Sequence, residues 1–528
     1  MANAESPPKI NHHQPVGLVP LLDARWAWGG SAVVSTSLLS LCWLMQSYLP
    51  LAPGRLWAHF STSDHFPLLS GVDGAARQFA LDILLQKTSL AWGVAGVSLL
   101  LSCCIMFSLC LMFVLFNQIH NRHLISSASV ALVGFQLALS AESVQASFGG
   151  IIAYALLLGA MTHLGIRETK RSRFWTIMIT GLAMFLWVNS SGSFTVGIII
   201  LCGACLENVV RAIFQKKSIR GIWSDWCLRN YVYALEAGML GLLCNPQGIK
   251  VLLHADYLNG FVSDYASRWW IPLVPGNLST VLTGALIVGV LVLLRTSRAS
   301  LVRGFPLSCF VLWGLTWLDR SALIWSVPLT VLMIQPLLAE RISSIFPERQ
   351  DVRRDSRDLT SKDFRYTLLT LLPIWLGFAL SPLGGLVLGG TSRGPDQIIS
   401  RETPVNLASH LRSAPPLGQV VHPTAWGDWL SFAGPEQIQL FLSLENLGRC
   451  PQTLFRDQRD ILHASLGWEK KVERYRINSI ILDAQQHSST VHVLENSPTW
   501  EISYQDEQAV MFRRRMIRDQ SGSAAENL

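Results

Sequence analysis

The chain has 528 residues, of which 50% are hydrophobic and only 15% are charged. Ordinary globular chains carry about 25% charged residues, so this composition excludes a disordered, collagen-like or simple cytosolic protein and indicates a polytopic membrane protein. The net charge of +7 is attributed to basic loops beside membrane helices. No basic patch is interleaved with exposed aromatic residues, so nucleic acid is not expected as a partner.

The N-terminal two thirds of the chain are rich in long apolar segments. Residues 1–28 are polar and lack the pattern of a cleavable signal peptide, so we expect a cytoplasmic N-terminal segment there. A membrane-spanning helix needs about 20 largely apolar residues. Residues 29–390 therefore form a predicted transmembrane domain with about 11 spans, near 29–50, 91–117, 124–141, 147–166, 174–190, 193–214, 230–246, 278–295, 304–319, 321–339 and 366–388.

The basic residues of the loops predict how these spans are oriented. If the N-terminus is cytoplasmic, the Lys- and Arg-rich loops 167–173, 211–229, 295–303 and 340–365 all fall on the cytoplasmic side. Cytoplasmic loops carry the excess of Lys and Arg in membrane proteins. The pattern thus predicts two long outer loops, 51–90 and 247–277, and an extracytoplasmic C-terminus.

The C-terminal region has a different composition. Residues 398–516 are polar and rich in turns, and short β-like runs alternate with helix-like stretches. This pattern predicts a small α/β domain on the outer side of the membrane. Residues 517–528 are expected to form a disordered tail.

Several segments, taken in order, resemble the GT-C superfamily of membrane glycosyltransferases, in particular bacterial relatives of the protein mannosyltransferases. The segment Leu186–Gly197 is similar to a W-x-N-x-H-G-x-F-x-x-G signature of that group. The other segments that carry the resemblance are the N-P-x-G-like Asn245–Gly248, the E-W-x-x-P-like Ser267–Pro272, the R-N…P-like Asp319–Pro328, the W-G-G-Y-L-like Ala425–Leu430, the Y-x-V-D-like Arg474–Asn478 and the closing strand pair Trp500–Arg513.

The resemblance implies an all-α polytopic membrane domain with an extracytoplasmic α/β domain, in a bacterial cytoplasmic membrane. It implies transfer of a sugar from a polyprenyl-phosphate donor to an acceptor on the outer face. A carboxylate of the first outer loop would act as general base, and basic residues would hold the donor phosphate. The expected partners are this lipid-linked sugar, the membrane lipids and proteins of a membrane complex.

The chain departs from the family pattern at three polar positions. Arg55 stands in an acidic position, Ser191 in that of a His, and Arg268 in that of a Glu. If other residues took over catalysis, Asp64 is the best-placed base in the first outer loop. The predicted catalytic residues are therefore Asp64, the nearby His59 and Asp73, and the predicted donor-phosphate ligands are Arg55, Arg268 and Arg320.

Two further interpretations stay open. A catalytically inactive protein with the same fold would act as a structural or assembly subunit, with an intramembrane ion pair between Glu142 and Arg320. A transporter would need broken helices at matching places in two halves of the chain, and the sequence shows none convincingly. No cofactor motif is present, although the Asp/His group 59–65 has a loose spacing that can bind a divalent cation.

Overall fold

The protein is described by a computed structural model that covers most of the chain. The described residues are 30–60, 65–69, 79–120, 122–166, 170–216, 225–246, 248, 278–318, 320–345, 361–391, 393–444, 446 and 450–515.

The described residues up to 390 are mostly helical. Each predicted span overlaps a helix, because long runs of apolar residues favour helices that pack side by side. The helices are α1 (Gly30–Ser47), α2 (Phe79–His120), α3 (His123–Leu139), α4 (Ala141–Ile166), α5 (Lys170–Val188), α6 (Phe194–Lys216), α7 (Trp226–Leu243), α8 (Leu278–Thr296), α9 (Pro306–Leu318), α10 (Leu323–Met333), α11 (Gln335–Ile345), α12 (Ser361–Ala379) and α13 (Pro382–Val387).

The number of spans differs from the predicted 11. Within the described part of the chain, three helices are long and apolar enough to cross a membrane: Leu81–His120, Ser147–Leu164 and Phe194–Phe214. A fourth span is reached if α10 and α11 count as one, although they bend by 52° at the break between them. Hydropathy identifies apolar segments, but it does not predict where a helix ends or bends, and several of these helices are short or bent. The prediction of 11 spans is therefore wrong by this measure.

The sequence did not predict a break inside α2 or the bend between α10 and α11. Helix α2 contains one residue with non-helical backbone angles, Gly93, at φ 61° and ψ −157°. Between α10 and α11 the chain turns at Ile334, and Gln335 begins the next helix. The Gln335 amide fixes this bend, since it donates to Ser129 Oγ and to the Val331 carbonyl and accepts from His120 Nε2.

The C-terminal part (393–515) contains a five-stranded mixed sheet. The strands lie in the order β2-β1-β3-β5-β4, in which β1 is parallel to β2 and β3, and β5 is antiparallel to β3 and β4. Six short α-helices accompany them in the described residues. The elements are α14 (Pro395–Ile398), α15 (Val405–Ser413), β1 (Gln419–Val421), α16 (Gly427–Ala433), β2 (Gln439–Leu440), α17 (Gln452–Leu462), α18 (Trp468–Arg474), β3 (Ile477–Asp483), α19 (Ser488–Glu495), β4 (Trp500–Gln505) and β5 (Ala509–Arg514).

The alternation of side chains along the central strands divides the sheet into two faces. Ile480 and Phe512 point into a core whose buried residues all come from the C-terminal part, with Leu68 of the first loop packed against it. Their neighbours Ile481 and Met511 belong to the large apolar core that also contains the membrane helices. Successive residues of a strand face opposite sides. The sheet therefore covers its own core with one face and packs toward the helical region with the other.

Candidate active site

The segment after α1 is held between α4 and the C-terminal part. The Gln145 side chain of α4 binds it twice, because its Oε1 accepts from Ala52 N–H at 2.7 Å and its Nε2 donates to the Pro50 carbonyl at 2.7 Å. On the other side, Leu51 N–H donates to the Ile398 carbonyl, and Ser400 N–H donates to the Leu51 carbonyl, each at 2.8 Å. The start of the predicted outer loop is thus fixed at a junction of three chain segments.

An aromatic cluster extends this junction. Trp57 is 1% exposed and lies in the 3-10 turn Arg55–Phe60. Its ring centroid is 4.7 Å from that of Trp429 and 5.0 Å from that of Phe432, both on α16, and Phe60 lies 5.1 Å from Phe432. Each such pair adds about 0.5–1.5 kcal/mol beyond its buried area. The cluster fixes the turn against the C-terminal part.

The same turn presents His59 to a carboxylate. His59 Nδ1 donates to Asp82 Oδ1 at 2.6 Å, and the two side chains are 9% and 23% exposed. Asp82 lies in the first turn of α2, and Gln86, one turn further on, donates to the His59 carbonyl at 3.3 Å. A carboxylate that accepts from Nδ1–H leaves Nε2 of the imidazole with its lone pair, which is the arrangement of a general base.

A second histidine of the first loop is bound to the C-terminal part. His65 Nε2 donates to the Glu436 carbonyl at 3.0 Å, and its Nδ1 lies 2.7 Å from Ser431 Oγ. His59 and His65 therefore have different partners. Among the described residues, no group of three or more His, Cys, Asp or Glu side chains is arranged to hold a metal ion.

For the other predicted site residues, the described part of the structure gives no side-chain position relative to His59. Asp64, Asp73 and Arg268 lie outside the described residues. Arg55 and Arg320 begin the 3-10 turns Arg55–Phe60 and Arg320–Ala322, but their side chains are outside the description. Of the six predicted residues, His59 alone has a side chain whose contacts can be stated, so the other roles stay predictions.

A carboxylate of α4 lies at the same junction. A side chain at Gly54 would lie 3.5 Å from Glu142 Oε1 and 3.6 Å from Leu444 Cδ1, so the absence of a side chain lets the turn approach both. Glu142 is in the first turn of α4, where the helix dipole favours a negative charge. Glu142 therefore lies beside Gly54, the residue that precedes the turn Arg55–Phe60.

The motif-like segments meet in the helical region, where they serve packing. Asn245 Nδ2 donates to Asn189 Oδ1 at 3.1 Å, so two of these segments are hydrogen-bonded to each other. The ring centroids of Trp187 and Trp325 are 5.4 Å apart, so a third motif-like segment, Asp319–Pro328, contacts the first. Ser191, at the position of the family's His, is 1% exposed and bonded to Ser193 Oγ at 2.8 Å. Its hydroxyl stabilises the turn between α5 and α6.

Sequence reasoning missed the partners that organise the site. Asp82 was one of three carboxylates in the first loop, and nothing in its spacing from His59 showed that the two side chains meet. Gln145 carried no signal at all, because a Gln in an apolar helix has many uses. The amphipathic start of α2, which places Asp82 near the turn, was the available clue.

The comparisons with known proteins are sparse. No family model matches the chain, and no curated protein matches it. Among solved structures, it is similar to the oligosaccharyltransferase of Archaeoglobus fulgidus, at 11% identity and a TM-score of 0.38. That similarity covers 86% of this chain and 68% of the other. A TM-score at this level does not establish a shared fold.

Proposed function

We propose that the protein is an integral membrane glycosyltransferase that transfers a sugar from a polyprenyl-phosphate donor to an acceptor hydroxyl or amide. The observation that carries the proposal is the hydrogen-bonded pair of His59 and Asp82 at the junction of the helical region and the C-terminal part. The order of motif-like segments that resembles GT-C enzymes supports the same function. We place the protein in a bacterial cytoplasmic membrane, with a cytoplasmic N-terminus and an extracytoplasmic C-terminal domain.

In this proposal His59 is the general base. Its Nε2 takes the proton of the acceptor as the acceptor atom attacks the anomeric carbon of the sugar. The bond between that carbon and the phosphate oxygen breaks, and polyprenyl phosphate leaves with the electron pair. Asp82 holds the imidazole in the required tautomer and stabilises the imidazolium that forms. Arg55, Arg268 and Arg320 are the groups proposed to neutralise the phosphate.

Substitution of the pair tests this role. His59→Gln should lower the transfer rate by about 10²–10⁴-fold, because it removes a positioned general base. Asp82→Asn should lower the rate with little effect on donor affinity, since the carboxylate acts on the imidazole and is not among the groups proposed to bind the donor phosphate. The measurement is sugar transfer by the purified full chain from a radiolabelled polyprenyl-phosphate sugar to a membrane extract.

The control is His492→Gln, since His492 is 80% exposed on α19 and far from the pair in sequence. Asp64→Asn separates the two candidate bases. If it abolishes transfer while His59→Gln is active, Asp64 is the base and the pair is structural. If the wild-type chain transfers no sugar from any donor of this class, the proposed function is wrong.

The second candidate function is a catalytically inactive structural or assembly subunit. The burial of Ser191 at the position of the family's His favours it, because a buried hydroxyl bonded to Ser193 has no access to a substrate. Under this hypothesis, a gene that carries His59→Gln complements a deletion strain as well as the wild-type gene does. Under the enzyme hypothesis it does not.

A further inference from the structure

Helix α2 is longer than a membrane crossing requires. It has 42 residues, and at 1.5 Å per residue it would measure about 63 Å if it were straight, whereas a bilayer with its headgroups is about 40–45 Å thick. The part from Val94 to His120 is by itself long enough to cross. The break at Gly93 separates this part from the first section, Phe79–Trp92. The first section therefore need not continue through the membrane.

The first section of α2 has two distinct faces. Leu81, Leu85 and Thr88 are buried against the protein. The opposite stripe carries Ile83, Leu84 and Leu90, which are 38%, 45% and 87% exposed. Residues 83, 84, 87 and 90 follow the spacing of one helical face, and at this spacing Lys87 is exposed among the apolar side chains. Trp92, at the break, is 71% exposed.

An exposed apolar stripe of this kind is normally shielded from water. The rest of the same helix indicates what shields it. The exposed apolar residues continue past Gly93 in the same helix with Phe107 and Val114, on a segment apolar enough to span a membrane. Trp is enriched at the membrane–water interface, and a Lys can bury its stem in lipid while its ammonium reaches the headgroups. A lipid surface therefore matches the exposed side chains of both sections of α2.

We propose that Phe79–Trp92 is an interfacial helix that lies in the lipid–water boundary, with Ile83, Leu84 and Leu90 in the acyl region and Lys87 at the lipid phosphates. The side of the membrane is that of the C-terminal part, because the turn that contacts α2 through His59 and Asp82 also packs on Trp429. The helix then holds Asp82 at the depth of the lipid headgroups. This inference does not depend on the proposed transfer reaction.

Photo-crosslinking tests the position of the helix directly. The full chain is purified in nanodiscs of phosphatidylethanolamine and phosphatidylglycerol, with p-benzoylphenylalanine introduced at position 90, and lipid adducts are measured by mass spectrometry after irradiation. Position 107, 53% exposed in the span, is the positive control, and position 417, 66% exposed in the C-terminal part, is the matched negative control.

The expected result is a lipid adduct at position 90 similar in yield to that at position 107 and about tenfold above that at position 417, as for a helix buried in the interface. A second probe at position 83 covers the case in which the first variant does not fold. If positions 83 and 90 crosslink to protein or give no more lipid adduct than position 417, the inference is overturned. Because no sugar transfer is measured, this result is separate from the test of the enzyme.

Discussion

At the scale of single residues, His422 is the group whose burial has a clear energetic consequence. It follows β1, is fully buried, and donates from Nδ1 to the Pro423 carbonyl at 2.9 Å. Burial lowers its pKa from 6.5 to about 4, and the hydrogen bond to the carbonyl opposes this only in part. Its Nε2 has no hydrogen-bond partner among the described residues. The folded protein therefore keeps this imidazole neutral.

The lowered pKa predicts a loss of stability in acid. As the pH falls from 6.5 to 4, the unfolded chain takes up a proton at this residue that the folded chain does not, so the folded state loses up to about 3 kcal/mol. Above pH 6.5 this contribution is constant. The measurement is the free energy of unfolding of the C-terminal part within the full chain. It is obtained at each pH from the hydrogen exchange of the β1 and β3 amides, corrected for the intrinsic exchange rate at that pH.

The control for this prediction is a histidine that is mostly exposed. His492→Gln should leave the pH dependence unchanged, since His492 is exposed. His422→Asn should flatten the decline between pH 6.5 and 4, even if it lowers stability at every pH. An undiminished decline in His422→Asn would show that another group causes it.

At the same scale, the sequence could name His59 but not its function. A His near several carboxylates is visible in the chain, whereas the choice of Asp82 as its partner depends on how the turn Arg55–Phe60 lies on α2. That placement comes from Trp57 and Gln145, whose contacts join segments far apart in the sequence. Pairings of this kind follow from packing, which spacing alone does not determine.

At the scale of elements, Gly93 determines the shape of α2. Its φ of 61° and ψ of −157° fall in a region that only Gly adopts without strain, and apart from the adjacent helix backbone no atom of the described residues lies within 4 Å of the place where a side chain would begin. Gly93→Ala should therefore destabilise the protein by about 1–3 kcal/mol through the backbone alone. The measurement is the thermal unfolding midpoint of the variant in nanodiscs.

The matched control for this prediction is Gly159→Ala in α4. Gly159 also has open space around it, but its backbone is helical, so Ala should be neutral or stabilise by up to about 1 kcal/mol. If the two variants melt alike, the break at Gly93 is not required by the fold. The interfacial position of Phe79–Trp92 would then lose its geometric basis.

The elements of the C-terminal part were easier to predict than those of the helical region. The strands β1 (Gln419–Val421) and β3 (Ile477–Asp483) carry Val and Ile between turn signals, and such β-branched residues have few alternatives to a strand. In the helical region, hydropathy located the helices but could not report the bend of 52° between α10 and α11. Neither could it show that α2 changes direction at a single Gly.

At the scale of the whole molecule, the C-terminal part and the helical region form one structure. The large apolar core contains Trp57 of the first turn, Trp429 of α16 and Ile481 of β3 together with the membrane helices. His65 adds hydrogen bonds to Ser431 and Glu436 on the same side. The pair of His59 and Asp82 thus lies beside the contact between the helical region and the C-terminal part.

The most direct test of the central claim is whether the protein binds a polyprenyl phosphate. Native mass spectrometry of the full chain is carried out with added polyprenyl phosphate and, as the matched control, with the polyprenol of the same length that lacks the phosphate. We predict one bound polyprenyl phosphate that survives conditions that remove the polyprenol and bulk phospholipid, and weaker binding in Arg268→Gln. Equal retention of the two lipids would contradict a donor-phosphate site, and with it the proposed glycosyltransferase.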